Sequence, residues 1–217
     1  MHRMSFADLL NQSALASVTR FVPTTLTQYH VAVATLWNLL DRNIEEHATR
    51  CAGSRNSLVC PGTPFGYMRP AQLEHYSSFV WAKGPLTMCE VGFNGGHGTA
   101  AMLLANPQLT VHSFELGGYG YVREAQRLVR SYFGARFHAY LGNSQRLVPA
   151  AVRSGTLNAS CDVLLVDGDH RAKGALADIL NLRPLAKPGA ALLIDDLNEG
   201  PGPALQQAVN EGVPAPV

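Results

Sequence analysis

Apolar residues recur at two different spacings along this 217-residue chain, and the change from one to the other marks its organisation. From Tyr29 to Ile44 the positions Val33, Leu36, Trp37, Leu40 and Ile44 follow the period of a helix with one buried face. Ala71 to Trp81 also reads as a helix. Short apolar runs then appear at Leu86–Gly92, Leu109–Glu115, Phe137–Leu141, Val163–Asp167 and Ala190–Asp195, each of strand length. Helical spacing returns between them. It marks the body of a helix at Thr99–Leu104, an apolar face made of Tyr121, Val122, Ala125, Leu128, Val129 and Tyr132, and a helix from about Ser144 to Arg153. A further face follows with Ala172, Leu176, Ile179 and Leu180, and a short helix is predicted at Ala204–Asn210.

Regular alternation of strand and helix predicts an α/β fold, because parallel neighbours need crossover connections. The expected architecture is Rossmann-like and doubly wound, a mainly parallel sheet with helices on both faces. Residues 1–65 form an N-terminal helical extension without a chemical motif, read as a scaffold or oligomerisation element. The Gly/Pro-rich passage 60–70 separates it from a domain spanning 66–217. Ligands of such sheets bind beyond the carboxyl ends of the strands, near the point where strand order reverses.

Those strand ends are chemically dense. The runs CDVLLVDGD and GAALLIDD deliver Asp167, Asp169, Asp195 and Asp196 to one edge of the sheet, where like charges repel unless a metal or a cationic ligand neutralises them. Plainer readings stand beside this one: Asp169 caps the following helix, and Asp196 only terminates a strand. The first strand runs into CEVGFNGGHGT, whose glycines 92, 95, 96 and 98 permit a sharp turn and close backbone approach. Glu90, two residues before the first glycine, is foreign to a dinucleotide fingerprint and suits a cationic or amine-bearing ligand. Glu115, 25 residues after Glu90, ends the second strand where an acid can accept from both ribose hydroxyls. Gly142, Asn143, Ser144 and Gln145 follow the third strand and suit an adenine edge, or equally a helix N-cap.

Composition narrows the partners. Seventeen basic and 16 acidic residues leave a net charge of +1, so there is no electrostatic footprint for nucleic acid or an anionic membrane. No apolar run approaches the roughly 20 residues that span a bilayer, and the N-terminus lacks a signal core. The expectation is a cytoplasmic protein acting on small molecules. Four cysteines, at 51, 60, 89 and 161, include no C-x-x-C pair, which argues against a cysteine zinc site. Cys89 and Cys161 fall in predicted strands and read as small core residues; Cys51 and Cys60 flank a loop and pair only in an oxidising compartment.

Taken in order, EVGFNGGHG, SFEL, LGNSQ, LLVDGDH and LLIDD resemble the class I S-adenosylmethionine-dependent methyltransferases. The nearest likeness is to metal-dependent O-methyltransferases of the catechol, caffeoyl-CoA, macrolide-sugar and cephalosporin-hydroxylase-like groups, over about residues 66–200. The resemblance implies a methionine-binding loop at Glu90–Gly98, with Glu90, Gly92, Phe93, Asn94 and Gly96 at the cofactor. It implies Glu115 at the ribose, Ser144 and Gln145 near the adenine, and Asp167 and Asp169 as further cofactor neighbours. It also implies a Mg²⁺ or similar hard divalent cation on Asp167, Asp195 and Asp196. His170 matches a position where such enzymes carry a base, so His170 and Asp167 are the catalytic candidates. His97 is expected to shape the cofactor pocket.

Two departures qualify the likeness. Gly98 stands where the family often has Ser or Thr. The two strands that usually follow the fifth as an antiparallel edge hairpin are absent from the sequence, which implies a fragment, or a homo-oligomer or other partner covering that edge. The function expected is metal-assisted O-methylation of a small-molecule hydroxyl. The alternatives are a catalytically inactive methyltransferase-like binding module and a Rossmann oxidoreductase, the latter opposed by the glycine spacing and Glu90.

Overall fold

In the computed structural model, which describes residues 23, 25–50, 68, 70–81 and 83–212, the apolar runs become strands and the periodic stretches helices. The order is α1 (Leu26–Arg50), α2 (Pro70–Val80), β1 (Leu86–Val91), α3 (His97–Ala105), β2 (Leu109–Glu115), α4 (Val122–Phe133) and β3 (Phe137–Leu141). It continues with α5 (Ser144–Arg153), β4 (Cys161–Val166), α6 (Ala172–Leu182), β5 (Ala186–Ile194) and α7 (Pro201–Asn210). The strands form one sheet of order β3-β2-β1-β4-β5. β1 pairs in parallel with both β2 and β4, and β4 with β5, so the chain reverses its direction of travel across the sheet at β1. This is the expected Rossmann-like α/β fold, and the reversal marks the carboxyl ends of β1 and β4 as the place for a ligand.

The chain divides into two compact units that interleave along the sequence. One contains α1 to α4. In it α1 buries Tyr29, Val33, Leu36, Leu40 and Ile44, and α4 buries the whole predicted face from Tyr121 to Tyr132. Eight of the nine residues of α3 are buried, as its continuous apolar run Ala100–Ala105 requires. The other unit contains β1, β2, most of β3, β4 and β5 with α5, α6 and α7. Its core joins Val91, Phe114, Leu164 and Val166 of the strands to Val148, Ala175, Ile179, Leu182 and Ala204 of the helices.

The predicted face of α6 meets the core at Ile179, with Leu176 and Leu180 partly buried against it; Ala172 is exposed, and Gly174, Ala175, Asp178 and Leu182 are the other buried positions. Two expectations need correction here. β5 begins at Ala186, ahead of its apolar run, and takes in Pro188 and Gly189. An edge strand tolerates proline, and the pairing with β4 shifts register between Cys161 and Val163. Finally, Cys89 and Cys161 are not separate core thiols. Both are fully buried and joined as a disulfide between neighbouring strands, with their Cα atoms 5.9 Å apart.

β5 is an edge strand and, unlike β1 and β4, is mostly half-buried or exposed. No described helix is long and apolar enough to cross a membrane. Cys51, Cys60, most of the passage 60–70 and the Pro-rich tail after residue 212 lie outside the described residues.

Candidate functional site

The strand ends are pinned by a ladder that runs one residue past each strand. Gly92 N–H donates to Phe114 O (2.9 Å), Asp167 N–H to Val91 O (2.9 Å), and Asp195 N–H to Val166 O (3.0 Å). The acids therefore leave the sheet from fixed backbone positions. Gly92, at φ 99°, passes so close to β4 that a Cβ there would sit 1.9 Å from Asp167 O. Only glycine allows this approach. Glu115 is buried and accepts the Phe93 N–H at 2.9 Å, which ties the acid ending β2 to the loop leaving β1. Glu90 is 1% exposed within β1.

Asp167, His170 and Asp196 converge, each offering a ligand atom within 4.8 Å of the others. His170 Nδ1 lies 3.2 Å from Asp196 Oδ2 and 3.6 Å from Glu199 Oε2. Asp196 adopts φ 51°, a left-handed conformation that Asp tolerates better than most residues, and its N–H donates to Asp195 Oδ1 at 2.8 Å. The Asp167 carboxyl is raised well above the usual range by desolvation, and then by the charges of Asp195, Asp196, Glu90 and Glu115. Since Asp167 is itself solvent-accessible, the repulsion from its four acidic neighbours is the firmer cause. A cation here would relieve that repulsion. The geometry groups His170 with Asp167 and Asp196, while Asp195 contributes charge to Asp167 and accepts a backbone bond inside the turn.

The other candidates separate by role. Asp169 is engaged by Arg171, accepting its N–H at 3.0 Å and a two-pronged bond from its guanidinium, whose hydrogen bonds hold the carboxyl below the ordinary range. Asn143 is the N-cap of α5, accepting Gln145 N–H at 2.8 Å, so the capping reading holds for that residue. Gln145 is exposed. Ser144 Oγ–H donates to Asp178 Oδ1 at 2.7 Å. Asp178, 2% exposed, was not foreseen. Burial pushes its carboxyl up to about 6, a shift opposed by the Ser144 bond, and it also accepts the Asp169 backbone N–H. Its signal was present, since it stands among the buried positions of α6 between Ala175 and Leu182. Glu199, beside His170, lies in a loop and carried no such signal.

In the first unit, Asn94 (φ 48°) and Gly96 (φ 84°) shape the turn into α3. Gly96 is the N-cap and supplies no side chain to the first-turn amides. Those amides form the kind of helix terminus that receives an anion. His97, the first residue of α3, is buried.

Residues 89–197 match the family model described as a methyltransferase domain. No curated protein matches the chain. Among solved structures, the O-methyltransferase from Bacillus cereus in complex with SAH is similar at 16% identity and TM-score 0.55, over 79% of this chain and 71% of that one. Cofactor-bound Rv0187 from MTB has the same identity and TM-score over 98% and 88%. The SAH-bound Podospora anserina methyltransferase PaMTH1 follows at 13% and 0.51, over 82% and 73%. At these identities the structural likeness establishes the fold.

Proposed function

Because the chain belongs to the methyltransferase-domain family, we propose that this S-adenosylmethionine-dependent methyltransferase methylates a small-molecule hydroxyl with the help of a divalent cation. The observation that carries the finer reading is the convergence of Asp167, His170 and Asp196 beneath a group of mutually repelling acids. The residues fit the cofactor: Glu115 is buried at a strand end and Gly92 admits close approach. Their chemistry suits a ribose and a backbone-hugging sulfonium chain in turn. Oxygen ligands also fit a hard cation, held in this reading by Asp167, Asp195 and Asp196.

When bound, the cofactor supplies an electrophilic methyl and the cation acidifies the acceptor hydroxyl. The chain does the rest. His170 takes the hydroxyl proton on Nε2, while Nδ1–H faces Asp196 Oδ2 at 3.2 Å, so that carboxylate stabilises the imidazolium that results. Glu115 fixes the loop at Phe93 while Gly92 keeps that loop against β4.

Calorimetric titration of the full-length chain with S-adenosylhomocysteine, then with Mg²⁺, tests both parts. Micromolar-range cofactor binding and loss of turnover on chelation are expected. Absence of cofactor binding would sink the reading, and undiminished turnover in chelator would remove the cation from it. Asp195→Asn should weaken Mg²⁺ binding while His170→Gln should spare it and abolish turnover; the reverse result makes His170 a ligand. The exposed edge of β5 favours one other reading, an interaction module that binds cofactor without turnover and co-purifies with a partner or second copy.

A further inference from the structure

The sequence marks α1 as a scaffold, yet its contacts are concentrated on one functional segment. Beside its apolar strip α1 carries Trp37, Asp41 and the 1%-exposed Asn43. The Trp37 indole N–H donates to His97 O at 3.0 Å, and the two rings meet edge-on with centroids 5.6 Å apart. Facing a carboxylate, His97 Nε2 carries the proton and donates to Asp41 Oδ1 at 2.9 Å. Asn43 Nδ2 donates to Tyr121 O at 2.9 Å, and the Tyr121 hydroxyl donates to Asn94 Oδ1 at 2.5 Å. Ile44 closes the set, its Cδ1 lying 3.0 Å from where a Gly95 Cβ would stand.

The held segment needs holding. Asn94 and Gly96 both occupy left-handed conformations, and the helix that follows has no side-chain cap to fix its entry. Burying Asn43 and His97 costs free energy that an all-apolar helix face would avoid, so their hydrogen bonds serve something beyond packing. We propose that α1 is the positioning element of the cofactor turn, with Asp41 acting through His97, and Asn43 through Tyr121, to preset residues 94–98 for S-adenosylmethionine. This rests on the reading of Glu90–Gly98 as the cofactor loop.

The test uses the full chain, S-adenosylhomocysteine calorimetry, steady-state kinetics, and ligand-free hydrogen exchange at the amides of residues 94–98. Asp41→Ala is expected to weaken S-adenosylhomocysteine about tenfold, the effect of losing one hydrogen bond to a charged group, and Trp37→Phe, which loses a neutral bond, about fivefold. They should raise the KM for S-adenosylmethionine, leave kcat at saturation within about twofold, and speed exchange at 94–98. Asp41→Asn should recover most of the affinity. Ser77→Ala, on α2, removes a buried hydrogen bond to Tyr29 within the same helical unit and touches none of residues 94–98. It should lower Tm without changing affinity, which separates positioning from general stability. Should Asp41→Ala fail to fold, Trp37→Phe and Asp41→Asn still decide. Parent-like affinity and exchange in the folded variants would overturn this inference alone, whereas a parent chain that binds no S-adenosylhomocysteine overturns the cofactor reading along with it.

Discussion

Asp178 is the residue at which burial and charge conflict most directly. Its folded pKa of about 6 lies above the ordinary ~3.9 of an aspartate, so the folded state binds the proton more tightly than the unfolded chain. Its contribution is therefore fully present below about pH 4 and is lost as the pH rises through 6. His112 has the opposite sign. Desolvation, and then the stacked His138, lower its pKa to about 4, so its contribution is present above about 6.5 and is lost as the pH falls through 4. The two slopes oppose each other over one window and mask one another in the parent. Urea unfolding across pH 4–7 should show Asp178→Asn gaining on the parent by on the order of 3 kcal/mol as pH rises. A flat difference curve would show that Asp178 does not titrate there.

Among the elements, the turns after β1 and β5 decide where the acids stand. Gly92 leaves no room beside Asp167 O, and a Cβ at Gly200 would fall 2.3 Å from His170 O, so each glycine seats one loop against the backbone of the next. Gly134 is the useful contrast, with φ 57° and nothing within 4 Å of where a Cβ would stand. Gly134→Ala should cost only the conformational term, about 1–3 kcal/mol. Gly92→Ala should cost more, because β1 and β4 must part, and it should weaken S-adenosylhomocysteine as well; equal unfolding free energies for the two variants would refute the close-approach argument. The strands β2 and β3 and the helix α5 were legible to the residue because periodicity changes sharply at their ends. The buried face of α6 was legible only in part: Ile179 and the leucines packed beside it carry the period, whereas Gly174 and Asp178 give no apolar signal.

At the scale of the whole molecule, the Cys89–Cys161 bond ties the two central strands across a sequence separation of 72. Cross-linking so long a loop restricts the unfolded chain, so Cys89→Ala or unfolding in reductant should lower stability by about 2–4 kcal/mol. Because both sulfurs are buried, reductant acting on the native protein should work no faster than the sheet opens, which mass spectrometry after thiol trapping can follow. Unchanged urea midpoints with and without reductant would deny the bond a stabilising role. The order of strands and helices, the glycine turn, and the acids at the ends of β1, β2, β4 and β5 were all determined by the sequence itself, because periodicity and turn chemistry are local properties of neighbouring residues. Tertiary structure alone decided that Cys89 meets Cys161, that Glu199 stands beside His170, that Asp178 is buried beneath Ser144, and that α1 grips residues 94–97. Each of those depends on strand order or on helix packing, which bring together residues too far apart in the chain for any spacing rule to register.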